Sequence, residues 1–417
     1  MAIDFSPTPA QEAIRQLARE FATREVKPRA AELDAIAAPA GVFPWDIYVA
    51  GNRLGFNKIT IPAEYGGLGL GDMEAVLVIE ELSAADGGVG STYFVHNSLV
   101  YWILGAGSEE QKAKYLGECA RDPEERYFIS VGDTEHGKAG DGSPRERRPS
   151  APMTAADFAY DEPVPAGKRR ERTTVARRDG DDWVLNGMKR FITTAGQNKL
   201  YIITATSDPE RPDAEVTEAF LVPANTPGVS TGHIEDKMGQ RLAQNAEVVL
   251  ENVVIPEAQR MAKGLRAAYM TRGNNLNTLC AAVFVGIARR AFEESVAYAK
   301  ERYKGGTKII HHQAVQRMLT DMVIGVQTAR LMTWKAAYES DAMCPAGGAG
   351  IAKVYATEMA VKATNDAMQV LGGYGYMRDF PIEKLVRDAR LGPIYDASNE
   401  MIRHGQILPA YALLGTT

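Results

Sequence analysis

The sequence is poor in three features that would each define a class of protein: cysteine, net positive charge and long apolar runs. Its three cysteines are far apart and odd in number, which excludes a disulfide framework or a spaced zinc site and is typical of a reducing compartment. Forty-seven Lys and Arg against 53 Asp and Glu give a formal net charge of −6, so there is no basic excess to neutralise phosphates. No apolar run approaches the roughly 20 residues of a membrane span, and Asp4 and Glu12 interrupt the N-terminus where a secretory signal would be apolar. We therefore expect a cytoplasmic protein without a membrane segment or a nucleic-acid partner.

Hydrophobic residues, in contrast, are plentiful: they make up 45% of the 417 positions, which is enough for a large core. At roughly 100–200 residues per domain, this length predicts two to four domains. The spacing of the apolar positions changes twice along the chain, from helical to strand-like and back to helical. We therefore predict an α+β protein with an N-terminal α-helical domain over residues 1–126, a middle antiparallel β domain over 127–258 and a C-terminal four-helix bundle over 259–417.

The first and last regions have the apolar spacing of amphipathic helices. In the first region helical periodicity is interrupted by the turn-rich segment 61–70 and resumes at Met73–Ala85. In the last region the predicted helices cover residues 276–303, 311–340 and 347–371. Helices of roughly 30 residues are typical of a helix bundle.

The middle region consists of short β-prone runs separated by turns. These runs cover residues 173–187, 201–207, 218–223 and 246–256. Asp179-Gly180 and Asn186-Gly187 predict hairpin turns. Residues 142–171 stand apart, with five prolines and a cluster of arginines. Two interpretations of this insertion stay open: a solvated surface loop or a lid over a substrate entrance.

Six motifs, in one order along nearly the whole chain, carry a family resemblance. They are IPAEYGGLGL (61–70), Thr134-Glu135, LNGMKRFITTAG (185–196), ERYKGGTKIIHHQAV (301–315), QVLGGYGYMRDFPIEKLVRDAR (369–390) and IYDASNEMIRHGQIL (394–408). Together they resemble the acyl-CoA dehydrogenase superfamily of FAD flavoproteins. The resemblance implies an acyl-CoA substrate, an electron-transfer flavoprotein or similar acceptor, and a homotetramer or homodimer.

The residue types in these motifs suit a flavin nucleotide. Arg302 supplies a fork of donors for a pyrophosphate, and the glycines that follow leave the backbone open to close approach. Phe191 and Thr193, two apart on one predicted strand, are expected to share a face, which the family uses against the flavin ring. The resemblance assigns FAD contacts to Val131, Asp133, Thr134, Phe191, Thr193, Arg302, Gly305, His312, Gln313, Gln369, Gly372, Gly373, Ser398 and Glu400. In the family, the segment from Gln369 to Gly373 reaches FAD held by a neighbouring subunit.

The expected catalytic base departs from the usual family pattern. The family's base is a Glu directly after Tyr, and the corresponding run here is Tyr395-Asp396-Ala397-Ser398. Asp396 therefore takes the base position with a side chain about 1.5 Å shorter. Some members place the base on a bundle helix, but that position aligns with Leu276, which cannot accept a proton. Burial would raise the pKa of such a carboxylate towards the range needed for a carbon acid. The other interpretation of Asp396 is a helix N-cap.

The substrate contacts implied by the resemblance also depart from the pattern. They fall on Gly140, Ser143, Asn274, Asn277, Ala397 and Arg403. Asn274 and Asn277 stand where straight-chain members have an Asp and an Arg that contact CoA, so a strong charged donor is missing. A backbone N–H near Ala397 or Ser398 would bind the developing oxyanion. With a shorter base, these changes favour a cyclic, aromatic-derived or α-branched acyl-CoA.

Two other functions remain open. Nitroalkane oxidase, an oxidase of the same family, also uses an Asp at the base position and does not require CoA. A family relative that retains FAD but binds DNA is the second, although the sequence pI near 5.7 argues against it. No metal site is predicted, because His311, His312 and His404 lack partners at ligand spacing.

Overall fold

The computed structural model describes residues 6–36, 43–135, 173–209, 217–262, 275–341, 348–408 and 410. Three predicted substrate residues, Gly140, Ser143 and Asn274, lie outside the described residues, as does the predicted insertion at 142–171. The chain forms two compact units. One comprises Met1–Ser98, Lys237–Ala243 and Arg272–Thr417, and we call it the helical unit. The other comprises Leu99–Asp236 and Gln244–Thr271, and we call it the β unit.

The N-terminal third of the chain is helical, as its apolar spacing predicts. Its helices are α1 (Pro9–Phe21), α2 (Ala30–Ile36), α3 (Trp45–Arg53), α4 (Asp72–Ala85), α5 (Gly87–Ala106) and α6 (Glu109–Ala120). Helix α1 begins at a capping box: the Gln11 N–H donates to Thr8 Oγ1 at 3.2 Å, and the Thr8 N–H donates to the Gln11 side chain at 2.9 Å. Pro9 fills the first helical position, where no N–H is needed.

The C-terminal third forms the predicted bundle. Its elements are α7 (Asn275–Glu301), a short hairpin of Tyr303–Lys304 and Thr307–Lys308, α8 (Gln313–Asp341), α9 (Gly348–Leu371), α10 (Gly373–Tyr376), α11 (Ile382–Arg390) and α12 (Asn399–Ile402). Helices α7, α8 and α9 pack on one another, and α11 packs on α7 and α9. Small buried residues along α9, such as Ala356 and Ala360, allow this close packing. No helix in the described ranges is both long and apolar enough to span a membrane.

The β unit contains one sheet whose strands are mostly antiparallel. The strands are β1 (Ile129–Gly132), β2 (Val175–Asp179), β3 (Asp182–Thr193), β4 (Leu200–Thr206), β5 (Thr217–Pro223), β6 (Val229–Ile234) and β7 (Asn245–Pro256). Their order is β1-β4-β2-β3-β7-β6, with β5 also paired to β4. Strand β4 runs parallel to β1 and to β2, and the other pairs are antiparallel. The core includes Trp183, Leu185, Phe220, Val248 and Ile255.

One of the two predicted hairpin turns is confirmed and the other is wrong. Asp179 pairs with Asp182 across a tight turn that contains Gly180. Asn186-Gly187 instead lies inside β3, where the register against β7 shifts. The reason is local crowding: a Cβ on Gly187 would lie 2.7 Å from the Thr174 Cα, and the φ of 144° suits glycine.

Candidate active site

Asp396, in the helical unit, lies in a strained turn at the predicted base position. Asp396 and Ala397 have φ values of 50° and 64°, in the left-handed region that non-glycine residues rarely adopt. The Asp396 Oδ2 atom is buried and has no hydrogen-bond partner among the described residues. Burial raises the pKa of this carboxyl to about 7, and the Lys353 charge opposes that rise. Strain and an unpartnered buried oxygen together are typical of a functional carboxylate.

The alternative interpretation of Asp396 as a helix N-cap is wrong. The N-cap of α12 is Ser398, whose Oγ accepts from the Met401 N–H at 3.3 Å. The carboxyl of Asp396 is therefore not used to begin the helix. Leu276, the other aligned base position, lies in the first turn of α7.

Aromatic rings and two neutral polar groups lie near Asp396. The Tyr395 ring makes edge-to-face contacts with Phe94 and Phe284, at centroid distances of 6.0 and 5.9 Å. Cys280 on α7 is buried beside Tyr395 and Asp396. Burial raises the pKa of the Cys280 thiol and of the Tyr395 hydroxyl well above their ordinary values, so both stay protonated near neutral pH.

Two residues that sequence reasoning missed hold the turn after the base. Lys353 on α9 is fully buried, and its Nζ donates to the Ala397 carbonyl oxygen and to Asn399 Oδ1, each at 2.9 Å. Asn399 in turn donates from Nδ2 to Thr357 Oγ1 at 3.1 Å. A signal for Lys353 does exist, because it is a lone lysine on the apolar stripe of an amphipathic helix.

The predicted substrate residues that the structure describes have different environments. Asn277 is buried and donates from Nδ2 to Gln406 Oε1 at 2.8 Å. Arg403 forms an ion pair with Glu358 at 2.7 Å. The carbonyl of Ala397 is bound by Lys353, whereas the N–H groups of Ala397 and Ser398 have no acceptor in the part of the chain that the structure describes.

In the β unit, the expected flavin face is built around a bulge in β3. Phe191 is 52% exposed and has a φ of 61°, while Ile192 between it and Thr193 is buried. Asn245 on β7, which sequence reasoning missed, donates from Nδ2 to the Phe191 carbonyl at 2.8 Å and to Thr193 Oγ1 at 3.2 Å. Because Thr193 Oγ1 is the acceptor in this bond, its hydroxyl hydrogen can donate to another group. Arg190 lies over the Phe191 ring, 4.8 Å from its centroid.

The other expected β-unit residues lie at the end of β1. Val131 is on the strand itself and keeps partial solvent access. Asp133 Oδ1 accepts from Thr204 Oγ1 at 2.6 Å, and the Thr134 carbonyl accepts from the Arg190 N–H at 2.9 Å. These bonds join the end of β1 to β4 and β3.

In the helical unit, the expected FAD residues lie on exposed turns. Gly305 and Gly306 have φ values of 64° and 84° and form the tight turn between Tyr303–Lys304 and Thr307–Lys308. The Arg302 guanidinium lies over the Tyr374 ring at 5.4 Å. The His312 ring bonds to the Lys304 carbonyl at 2.9 Å.

A second exposed turn follows α9. Gln369 and Gly372 are exposed near its end, Gly373 begins α10, and Gln313 begins α8. Cβ atoms built on Gly306, Gly372 or Gly373 would meet nothing within 4 Å, so the backbone there is open to a large ligand. These donors and open glycines fit a flavin dinucleotide. Glu400 is exposed in the first turn of α12. No group of three or more His, Cys, Asp or Glu that could hold a metal ion occurs in the described ranges.

Comparison with known proteins gives one consistent result. The chain matches the acyl-CoA dehydrogenase N-terminal domain over residues 8–122, the middle domain over 166–253 and the C-terminal domain over 262–407. It is 34% identical to the 3-(aryl)acrylate reductase of Clostridium sporogenes, covering 94% of this chain and 96% of the relative. It is 32% identical to the short-chain specific acyl-CoA dehydrogenase of Clostridium acetobutylicum, covering 96% and 97%.

A solved structure agrees with these sequence matches. Butyryl-CoA dehydrogenase from Megasphaera elsdenii superimposes with a TM-score of 0.84 and 28% identity, covering 99% of this chain and 100% of that structure. The fold and these matches define an FAD-dependent oxidoreductase acting on CH–CH bonds. Within that class, the chain belongs to the acyl-CoA dehydrogenase family.

Proposed function

We propose that this protein dehydrogenates an acyl-CoA thioester, with Asp396 as the base that removes the α-proton. The observation that carries the proposal is the buried Asp396 Oδ2, which has no partner among the described residues and lies in a strained turn. A carboxyl with a pKa of about 7 is still half ionised at neutral pH, and its carboxylate form is a stronger base towards a carbon acid than an ordinary carboxylate.

The residues around Asp396 have separate roles in this reaction. The N–H groups of Ala397 and Ser398 are candidate donors to the thioester oxygen as negative charge develops on it. The Cys280 thiol and the Tyr395 phenol are neutral, so they add no negative charge beside the base. Bound FAD supplies the acceptor for the hydride that leaves the β-carbon, and the product is an α,β-unsaturated acyl-CoA. In the β unit, Thr193 and Phe191 are proposed to contact the flavin, with the Thr193 hydroxyl donating.

We infer that the acyl group is not a simple straight chain. The Asp396 carboxylate reaches about 1.5 Å less far than that of a Glu. The α-carbon of the substrate must therefore bind closer to the backbone of residue 396 than in members with a Glu. Asn277, at the position of the usual Arg, is engaged with Gln406 and carries no charge. A relative named 3-(aryl)acrylate reductase supports an aromatic-derived group, and cyclic or branched groups remain within the same proposal.

The proposed reaction involves two protein partners, a neighbouring subunit and an electron acceptor. The exposed turns at Gly305 and at Gly372-Gly373 are proposed to contact FAD, the second from a neighbouring subunit of a homotetramer or homodimer. An electron-transfer flavoprotein, or a similar acceptor, would reoxidise the reduced enzyme.

Anaerobic bleaching of the bound flavin tests the assignment. Butanoyl-CoA, octanoyl-CoA, cyclohexanecarbonyl-CoA and 3-phenylpropanoyl-CoA are compared at equal concentration. We expect the last two to bleach the flavin faster than the straight chains. Asp396→Asn should retain FAD and abolish bleaching, whereas Asp366→Asn, at an exposed ion pair with Lys362, should behave as wild type. Normal bleaching by Asp396→Asn would refute the base assignment, and a preference for straight chains would refute the substrate class.

A second candidate function is a nitroalkane oxidase activity, which the Asp at the base position favours. Its substrate is a small nitro compound that needs no CoA. Anaerobic reduction by nitroethane but by none of the four thioesters would favour this alternative. Reoxidation by oxygen, rather than by an electron-transfer flavoprotein, would point in the same direction.

A further inference from the structure

We propose that Lys353 is a positioning residue for Asp396: from α9 it fixes the turn that carries the base and supplies a positive charge that favours the ionised form of the base. This inference rests on the proposed function, because it concerns the same carboxylate. Lys353 itself is placed to touch the backbone of the turn rather than the substrate.

Lys353 makes two hydrogen bonds to the chain that follows the base. Its side chain is fully buried, and Nζ donates to the Ala397 carbonyl and to Asn399 Oδ1, each at 2.9 Å. Ala397 directly follows Asp396, and both residues are in the left-handed region. Such a conformation persists only where the surrounding structure holds it. A buried ammonium group bound to the carbonyl of this turn is one such restraint.

Asn399 is held in turn by α9. Its Nδ2 donates to Thr357 Oγ1 and to Glu358 Oε1, each at 3.1 Å. Thr357 and Glu358 lie four and five residues after Lys353 on α9. The turn is therefore attached to about one helical turn of α9 through several bonds, and Lys353 makes two of them.

The groups around the base differ in charge. Cys280 faces Asp396 from α7, and Tyr395 precedes it in the chain; burial raises the pKa of both, so both are neutral near pH 7. Lys353 faces Asp396 from α9, and its charge lowers the pKa of the carboxyl against the effect of burial. Glu358 and Glu400 act on Lys353 and favour its charged form, although burial lowers its pKa.

The sign of the effect follows from these interactions. A positive charge favours the ionised form of a carboxyl, so removal of Lys353 raises the pKa of Asp396. The acidic limb of the rate against pH then moves to higher pH, and less base is ionised at neutral pH. A lysine that only filled space in the bundle would not move this limb.

The test is the pH dependence of anaerobic flavin reduction in holoenzyme variants. We expect Lys353→Met to move the acidic limb up by about one pH unit, which corresponds to a rate about tenfold lower below the limb. Lys353→Gln keeps a donor for the Ala397 carbonyl but loses the charge, so it should show the same shift with less loss of thermal stability. Lys353→Arg should leave the limb close to that of the wild type. Lys362→Met removes an exposed lysine of the same helix and should change nothing.

The outcomes separate this inference from the proposed function. If Asp396→Asn bleaches normally, the proposed function fails. If Asp396→Asn is inactive but the limb is unmoved in Lys353→Met or Lys353→Gln with bound FAD, only the role of Lys353 is overturned. Loss of FAD from both Lys353 variants would also overturn the proposed role of Lys353, because its contribution would then be only to the stability of the fold.

Discussion

The Oη of Tyr395 lies 3.2 Å from the Oγ of Ser91, which itself donates to Gln240 Oε1 at 2.6 Å. The residue before the base is thereby joined to α5 and to the segment Lys237–Ala243 of the helical unit. Tyr395→Phe removes this bond but keeps the packing against Phe94 and Phe284. We expect a loss of about 1 kcal/mol in the free energy of unfolding.

Activity should change little in the same variant. We expect flavin reduction by the best thioester to slow less than about fivefold, a cost of about 1 kcal/mol. The Tyr395 hydroxyl helps to hold its segment in place and does not accept the substrate's proton. Tyr338→Phe, at an exposed tyrosine of α8, is the matched control. A loss of a hundredfold or more in Tyr395→Phe alone would instead place the phenol in the chemistry.

The raised pKa of Asp396 predicts a pH-dependent stability. The folded state holds the proton up to about pH 7, against an ordinary pKa of 3.8. Its contribution to stability is therefore present below pH 3.8 and is lost as the pH rises through 7. Asp396→Asn cannot ionise, so it should be stabilised relative to wild type by about 1.4 kcal/mol per pH unit over this range, up to about 4 kcal/mol at pH 8.

Thermal denaturation at pH 5 and at pH 8 measures this difference. The gap in melting temperature between Asp396→Asn and wild type should widen at the higher pH. The Asp366→Asn control should show the same small gap at both values. An equal gap for Asp396→Asn at the two pH values would mean that its carboxyl titrates normally.

The sequence predicted those parts of the molecule that depend on local spacing. The bundle helices begin and end within a few residues of their predicted bounds, because apolar periodicity directly reports the buried face of a helix. Asn186-Gly187 forms a bulge and not the predicted turn. The same dipeptide suits both structures, and only the close approach of Thr174 to Gly187 decides between them. The candidate base was predicted from its motif.

Tertiary partners could not be predicted in the same way. Lys353 and Asn399 are more than 40 residues apart, so their bond depends on how α9 packs against the chain near α12. Asn277 and Gln406 are further apart still. The bulge that exposes Phe191 depends on pairing between β3 and β7, which apolar alternation alone does not specify.

The conformation of Phe191 predicts a conflict between stability and cofactor binding. Its φ of 61° is unfavourable for any residue with a Cβ. Phe191→Gly should therefore be more stable without FAD than Phe191→Ala, by about 1 kcal/mol. Both variants should bind FAD about tenfold more weakly than wild type, because they lack the aromatic ring. Melting of the FAD-free proteins and titration with FAD measure the two effects, and equal stability of the two variants would contradict the strain.

The Asn277–Gln406 pair predicts an effect on substrate binding. Asn277→Leu leaves the Gln406 oxygen without its donor and removes a polar group from the position of the family's usual Arg. We expect the KM for the preferred thioester to rise about five- to tenfold, a cost of about 1 kcal/mol, with kcat changed less than twofold. Asn365→Leu, at an exposed residue of α9, is the control. A fall in kcat with an unchanged KM would assign Asn277 to the chemical step.

The position of Glu135 has a consequence for how the β unit tolerates change. Its carboxylate accepts from the N–H groups of Thr173 and Thr174 at 2.5 and 3.3 Å and forms an ion pair with the buried Lys189. One side chain therefore joins the chain near the end of β1 to the residues just before β2. Loss of this carboxylate would therefore loosen both strand ends at once.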